Sequence, residues 1–273
     1  MRQIRNFVVG IAVLTLASIT TASAQMSDGI AKVVAKSGDA RYFVPGDSTP
    51  HDVKVGMILK PGVTIQTASG AGNFVDVVLN NASAVAPATP SPSQVAHWQP
   101  KADQDGVRIN ENTVLVIDKL SRTQTGADVV TDTELDLKAG NILGTVKKLT
   151  PTSKYEVKIP NGVAGIRGTI YWLSASGILR VLDGSIVMAY VGSSGNVITQ
   201  TVNFGEQFDI NTGLVTPIDV NVRLELLRIA FGLGMPPVIQ PITFIAPDHR
   251  IHFVSPVQSH RGNHGPPFET AAN

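Results

Sequence analysis

Cysteine is absent from the 273-residue chain, which excludes a disulfide framework, a cysteine-ligated metal site and a lipid anchor carried on cysteine. A membrane-spanning run is missing too. The uncharged apolar stretch at residues 7–19 falls short of the about 20 residues that a spanning helix needs. Charge is balanced, with 22 Lys and Arg against 21 Asp and Glu and no basic cluster, so nucleic acid is disfavoured as a partner: binding it takes several phosphate-neutralising side chains. There is no nucleophile elbow, no Ser/His/Asp constellation, no zinc-hydrolase spacing and no phosphate loop. Nothing in the chain therefore calls for catalysis, a metal or a cofactor.

The N-terminus has the three parts of a secretory leader. Arg2 and Arg5 precede the apolar stretch, and Ala22-Ser23-Ala24 supplies small residues for cleavage before Gln25. Residues 1–24 are expected to be removed, leaving a periplasmic or secreted protein with no integral membrane segment.

Glycine (25) and proline (17) are plentiful, which suits many short strands joined by turns. The chain is organised around residues 155–191. Tyr155, Val157 and Ile159 alternate with Glu156 and Lys158, the period-2 pattern of a half-buried strand. Further runs at 169–173, 178–182 and 185–191 are rich in β-branched and aromatic residues, and Asp183-Gly184 between the last two predicts a type I′ hairpin. Gly162, Gly165 and Gly168 are spaced G-x-x-G-x-x-G. This is neither a dinucleotide fingerprint nor a P-loop, and no helix follows to cradle phosphate. The glycines are read as permitting tight corners between a turn at 160–165 and the strand that begins at Thr169. Arg167, placed between them, is expected to tie several backbone carbonyls with its forked guanidinium.

The run IPNGVAGIRGT, then strand, Asp-Gly, strand and VNFGEQF at 202–208, resembles the core of the FecR domain, an extracytoplasmic all-β module of bacteria. VKVGMILKPGVTIQT at 53–67, INENTVLVI at 109–117 and LDLKAGNILGTV at 135–146 resemble its earlier strands in the same order. The resemblance spans roughly residues 29–215. It implies a role in envelope signalling, where founding members relay a message through a membrane helix to a cytoplasmic sigma factor. This chain shows neither that helix nor a cytoplasmic segment, so a free interaction module is the expectation.

The predicted domain, residues 25–218, is all-β, a layered solenoid-like or sandwich arrangement of many short strands. Residues 80–106, rich in Ala, Pro and Ser, are expected to be a loop inserted in a surface hairpin. His97 and Trp98 are its only distinctive residues and its candidate ligand contacts. Val114 to Ile117 is apolar without interruption and is expected to lie deep between layers. Asp132, Glu134 and Asp136 fall on one strand face with Lys138. Catalytic carboxylates instead face each other across a cleft at about 5–10 Å, so this row is read as a solvated face.

A helix is predicted at 219–234, with Val220, Leu224, Leu227 and Phe231 as its apolar stripe. Residues 235–273 form a tail rich in proline and histidine (His249, His252, His260, His264), expected to be disordered and without a specific metal site. The expectation is thus an exported, non-catalytic β module that binds an envelope protein or polysaccharide. A secreted polysaccharide-active enzyme using the carboxylate row or His97 is the alternative.

Overall fold

The computed structural model describes residues 26–81, 84, 104–125, 128–192 and 194–233, and the backbone alone at 25, 98–99, 238–239, 242–245 and 251–254. The expected leader and most of the expected inserted loop and tail lie outside these residues.

The strands are β1 (Gln25–Asp28), β2 (Ala31–Ser37), β3 (Ala40–Phe43), β4 (His51–Asp52), β5 (Ile58–Leu59), β6 (Thr64–Thr67) and β7 (Phe74–Leu79). There follow β8 (Trp98–Gln99), β9 (Gly106–Ile109), β10 (Val114–Thr125), β11 (Asp128–Ala139), β12 (Asn141–Thr145), β13 (Lys154–Ile159) and β14 (Gly162–Ile166). The series continues with β15 (Ile170–Ser174), β16 (Ile178–Asp183), β17 (Ser185–Val191), β18 (Val197–Asn203), β19 (Glu206–Asp209) and β20 (Leu214–Pro217). Helix α1 (Val220–Phe231) comes next, then β21 (Val238–Ile239), β22 (Ile242–Ile245) and β23 (Ile251–Val254).

Two sheets make a sandwich. The front sheet runs β18-β17-β14-β13-β11-β10-β6-β3-β4, with β1 on an extension of β10; the back sheet runs β20-β19-β16-β15-β12-β9-β7-β2-β5. Apart from the first pair in each, both orders follow the chain, so the sandwich grows from one end to the other as a solenoid does. Neighbours are antiparallel except β11 and β13. Only β12, in the back sheet, separates those two in sequence, and the chain returns to the front running the same way.

Crossings between sheets, rather than hairpins, explain several of the glycines. Asp183-Gly184 is not the predicted hairpin, because β16 lies in the back sheet and β17 in the front. Of the two residues only Gly184 takes a positive φ, +77°, whereas a type I′ turn needs both. Gly168, φ +71°, makes the adjacent crossing from β14 to β15. The two corners touch: a Cβ on Gly184 would stand 2.7 Å from the Gly168 carbonyl oxygen and 2.7 Å from Thr169 Cγ2.

Between the sheets lies the main core, filled chiefly by alternate residues of the central strands. Leu115 and Ile117, Leu135 and Leu137, and Tyr155, Val157 and Ile159 come from the front; Val107, Ile109, Tyr171, Leu173, Leu179, Val181 and Phe208 come from the back. Each such side chain contributes about 1.5–3 kcal/mol. Val114 and Val116 point outward and are half-buried, so 114–117 is apolar to the core on one face only, contrary to expectation. Residues 162–166 are also not a turn. They form β14, paired with β13 and β17 on its two sides.

Helix α1 lies within the predicted 219–234 and is capped by Asp219, whose carboxylate accepts from the Asn221 and Val222 N–H groups at 2.9 and 3.2 Å. Its buried face differs from the predicted stripe. Leu226, Leu227, Ala230 and Phe231 pack on Leu143, Ile170 and Leu182 of the back sheet's outer face, while Val220 and Leu224 stay 63% and 47% exposed. Only the last turns reach that apolar patch, and they meet it rotated toward Leu226 and Ala230.

Candidate docking edge

The carboxylate row lies on the outer face of the front sheet, and each member meets a lysine. Asp132 pairs with Lys119, Glu134 with Lys158 at 3.1 Å and Lys154 at 3.3 Å, and Asp136 with Lys138 at 2.5 Å. The Lys158 hydrogen bond above all holds the Glu134 carboxyl below its ordinary value, against an upward push from burial, with Lys154 adding a further lowering. The Asp132 and Glu134 pairs run across strands and Asp136–Lys138 lies along β11, with no cleft between carboxylates, the geometry of a solvated ladder.

The recognisable motif is placed as follows. Gly162 opens β14 where a Cβ would stand 2.7 Å from the Ala189 carbonyl oxygen; Gly165 has room for one. Thr169 is fully buried beneath the Gly184 corner. Arg167 is exposed and gives one backbone bond, from Nη2 to the Thr150 carbonyl at 2.8 Å. The several carbonyls expected around it are absent from its contacts, since β14 is already paired along both sides. His97 lies outside the described residues. Trp98 is described in its backbone alone, as part of β8, which pairs with β21 of the tail. His249, His260 and His264 also lie outside, and His252 is described in the backbone of β23 only.

What the linear sequence did not reveal is that the two ends of the sandwich are finished differently. At the end formed first, the edge strands β4 and β5 have two residues each. His51 on β4 is paired with Asp47 at 3.3 Å and stacked near Tyr42. At the other end the front sheet closes on β18, seven residues reading VITQTVN, with no charge and no proline. Its neighbour β17 exposes Val187 and Val191, at 47% and 59%, and β18 itself exposes Val197 at 73%. The back sheet ends on β20, all of whose residues are exposed. Short strands, charge and proline are the usual guards of a sheet edge, and β18 has none of them.

Beside this edge a groove of about 1000 Å³ opens over Val163, Ala189, Val191 and Val197, walled by Asp136 and Lys158 from the ladder. A ligand there would meet apolar β-branched surface on one side and charge on the other. Among the described residues no helix is long and apolar enough to cross a membrane, and no three His, Cys, Asp or Glu side chains gather as a metal site.

The described part is thus a two-sheet β module whose most distinctive surface is an edge. Residues 96–187 match the family described as FecR protein. The match ends within β17, so the open strand β18 lies beyond it. Two crystal structures of a protein from Parabacteroides distasonis ATCC 8503, provisionally named an anti-sigma factor, match at 13% and 14% identity with TM-scores of 0.31 and 0.30. Each match covers 45% of this chain and 56% or 54% of the other, so the chain spans little more than half the length of those proteins. At such TM-scores they carry no structural argument. None of the curated proteins matches.

Proposed function

We propose that the chain is an exported, non-catalytic FecR-type module that acts in signalling at the cell envelope by docking a protein along its open end. The observation that carries this is the unguarded strand β18. Among the described residues no strand pairs with its outer edge, which leaves backbone groups open to an extended polypeptide, and the valines of β17 and β18 offer apolar contacts beside them. The FecR match supports a signalling role without chemistry. The lysine partners of Asp132, Glu134 and Asp136 speak against a polysaccharide-active centre there. Export rests on the leader at residues 1–24.

Fractionation of the native host combined with a photoreactive residue at Thr199, and at Asp52 as the closed-end control, tests both parts. The expected result is an envelope protein that forms a discrete adduct from position 199 and none from 52. Recovery in the cytoplasm contradicts export; adducts from both positions, or from neither, contradict docking at the open end.

A further inference from the structure

The geometry points to a second copy of this chain as an occupant of the open edge, joined through β18 about a twofold axis at Gln200. This rests on the docking proposal above and names its partner.

The strand is almost its own mirror in sequence. From Gln200 outward it reads Thr199 and Thr201, then Ile198 and Val202. Two copies laid antiparallel about Gln200 place Thr199 of each opposite Thr201 of the other, and Ile198 opposite Val202. Threonine pairs across strands are favourable, and like charges opposite each other are not; this strand has no charge to clash with its copy.

Backbone directions agree with that axis. The Gln200 side-chain amide donates to the Thr201 carbonyl at 2.6 Å, and the Asn203 N–H donates to the Glu206 carboxylate at 2.7 Å. Those backbone groups therefore face away from β17. In an antiparallel pair the facing side alternates residue by residue, so Thr199 and Thr201 both present N–H and C=O to the outside. Laid as described, the two threonines exchange both backbone bonds, and the Thr201 carbonyl trades the Gln200 side-chain donor for the partner's backbone N–H. Glu206, already on Asn203, ends the ladder there. Ile198, 41% exposed in the single chain, is covered on pairing. A twofold axis makes the contact closed, so it yields a dimer and not a fibre.

Gln200 facing Gln200 is then a non-hydrogen-bonded pair, with Cα atoms about 4.5 Å apart, inside the range a disulfide spans. Because the chain has no cysteine, Gln200→Cys is a clean reporter. Under mild oxidation at micromolar concentration it should run as a linked dimer on a non-reducing gel, while Ile58→Cys at the closed end stays monomeric. Thr199→Pro removes an outward N–H and keeps the pairing with β17. It should weaken self-association at least tenfold by sedimentation, with the thermal midpoint held. A wild type that is monomeric and a Gln200→Cys that stays unlinked overturn the second copy as occupant. A photoadduct from Thr199 to a different envelope protein would then leave the docking proposal standing, and no adduct would remove both.

Discussion

At one end of the sandwich both sheets stop on two-residue strands among charged side chains; at the other the front sheet stops on a seven-residue strand of Val, Ile, Thr, Gln and Asn, and the back sheet on the four-residue β20. The inter-sheet core thins toward the open end, where β18 buries only Val202 and β20 buries no residue. An edge strand that is long and unguarded is a hazard unless something covers it. On the docking proposal, function belongs to the later end, where the domain could add another strand, and the earlier end serves as termination.

The comparison can be broken by showing that either end's architecture rests on something else. The largest effect is expected toward the closed end, at Asp76. This nearly buried carboxylate receives Nε and Nη2 of Arg108 at 2.7 and 2.6 Å, with the guanidinium 3.9 Å above the Phe74 ring. Asp76→Ala strands a mostly buried guanidinium and should cost about 3–5 kcal/mol by denaturant unfolding. A loss under 1 kcal/mol would mean that solvent reaches Arg108 and that this half is less solid than drawn.

On the open half, Gly184→Ala forces a left-handed backbone on alanine and pushes a Cβ toward the Gly168 carbonyl. The backbone conformation alone should cost about 1–3 kcal/mol. An unchanged unfolding midpoint would show that the paired corners do not hold β16 and β17 in their separate sheets.

Asp105 lies before β9 at the base of the inserted loop. Burial pushes its carboxyl above the ordinary value of 3.8, and the Lys147 N–H at 2.9 Å offsets this only in part. A carboxyl raised on folding contributes stability that is complete below 3.8 and is lost as pH rises through its folded value. Asp105→Asn keeps the acceptor and removes the charge. It should stabilise by about 0.5–2 kcal/mol at neutral pH, with the gain fading in acid. Equal gains at both pH values would assign the effect to packing.

The smallest effect belongs to Arg167. With one exposed bond to a carbonyl, Arg167→Ala should cost no more than about 0.5–1.5 kcal/mol. A loss several times larger would restore the hub that its motif invites one to expect.

Alternation made most strands legible, and Tyr155 to Ile159 is the plainest case. Alternation reports which face a residue takes and is silent on which of two sheets receives the strand, so the glycine crossing at 184 looked like a hairpin. Strand β14 was missed because Gly162, Ala164 and Gly165 carry too little side chain to show a period; its pairing is dictated by β13 and β17. The helix was legible from its 3.6-residue period. Its buried face was set by an apolar patch of Leu143, Ile170 and Leu182 drawn from three strands. The open edge left no trace in the pattern of β18, because being last in a sheet is a property of the order of strands. The near-symmetry of VITQTVN and its lack of charge were the only signals available.

Amide hydrogen exchange in β18, read residue by residue by NMR, tests the open edge most directly. In dilute protein the N–H groups of Thr199 and Thr201 should exchange rapidly while those of Ile198 and Gln200, bonded to β17, are protected; raising the protein concentration should slow the two threonines and leave β4 and β5 unchanged. Uniform protection along β18 at every concentration would mean that the edge is already covered and would contradict the open end.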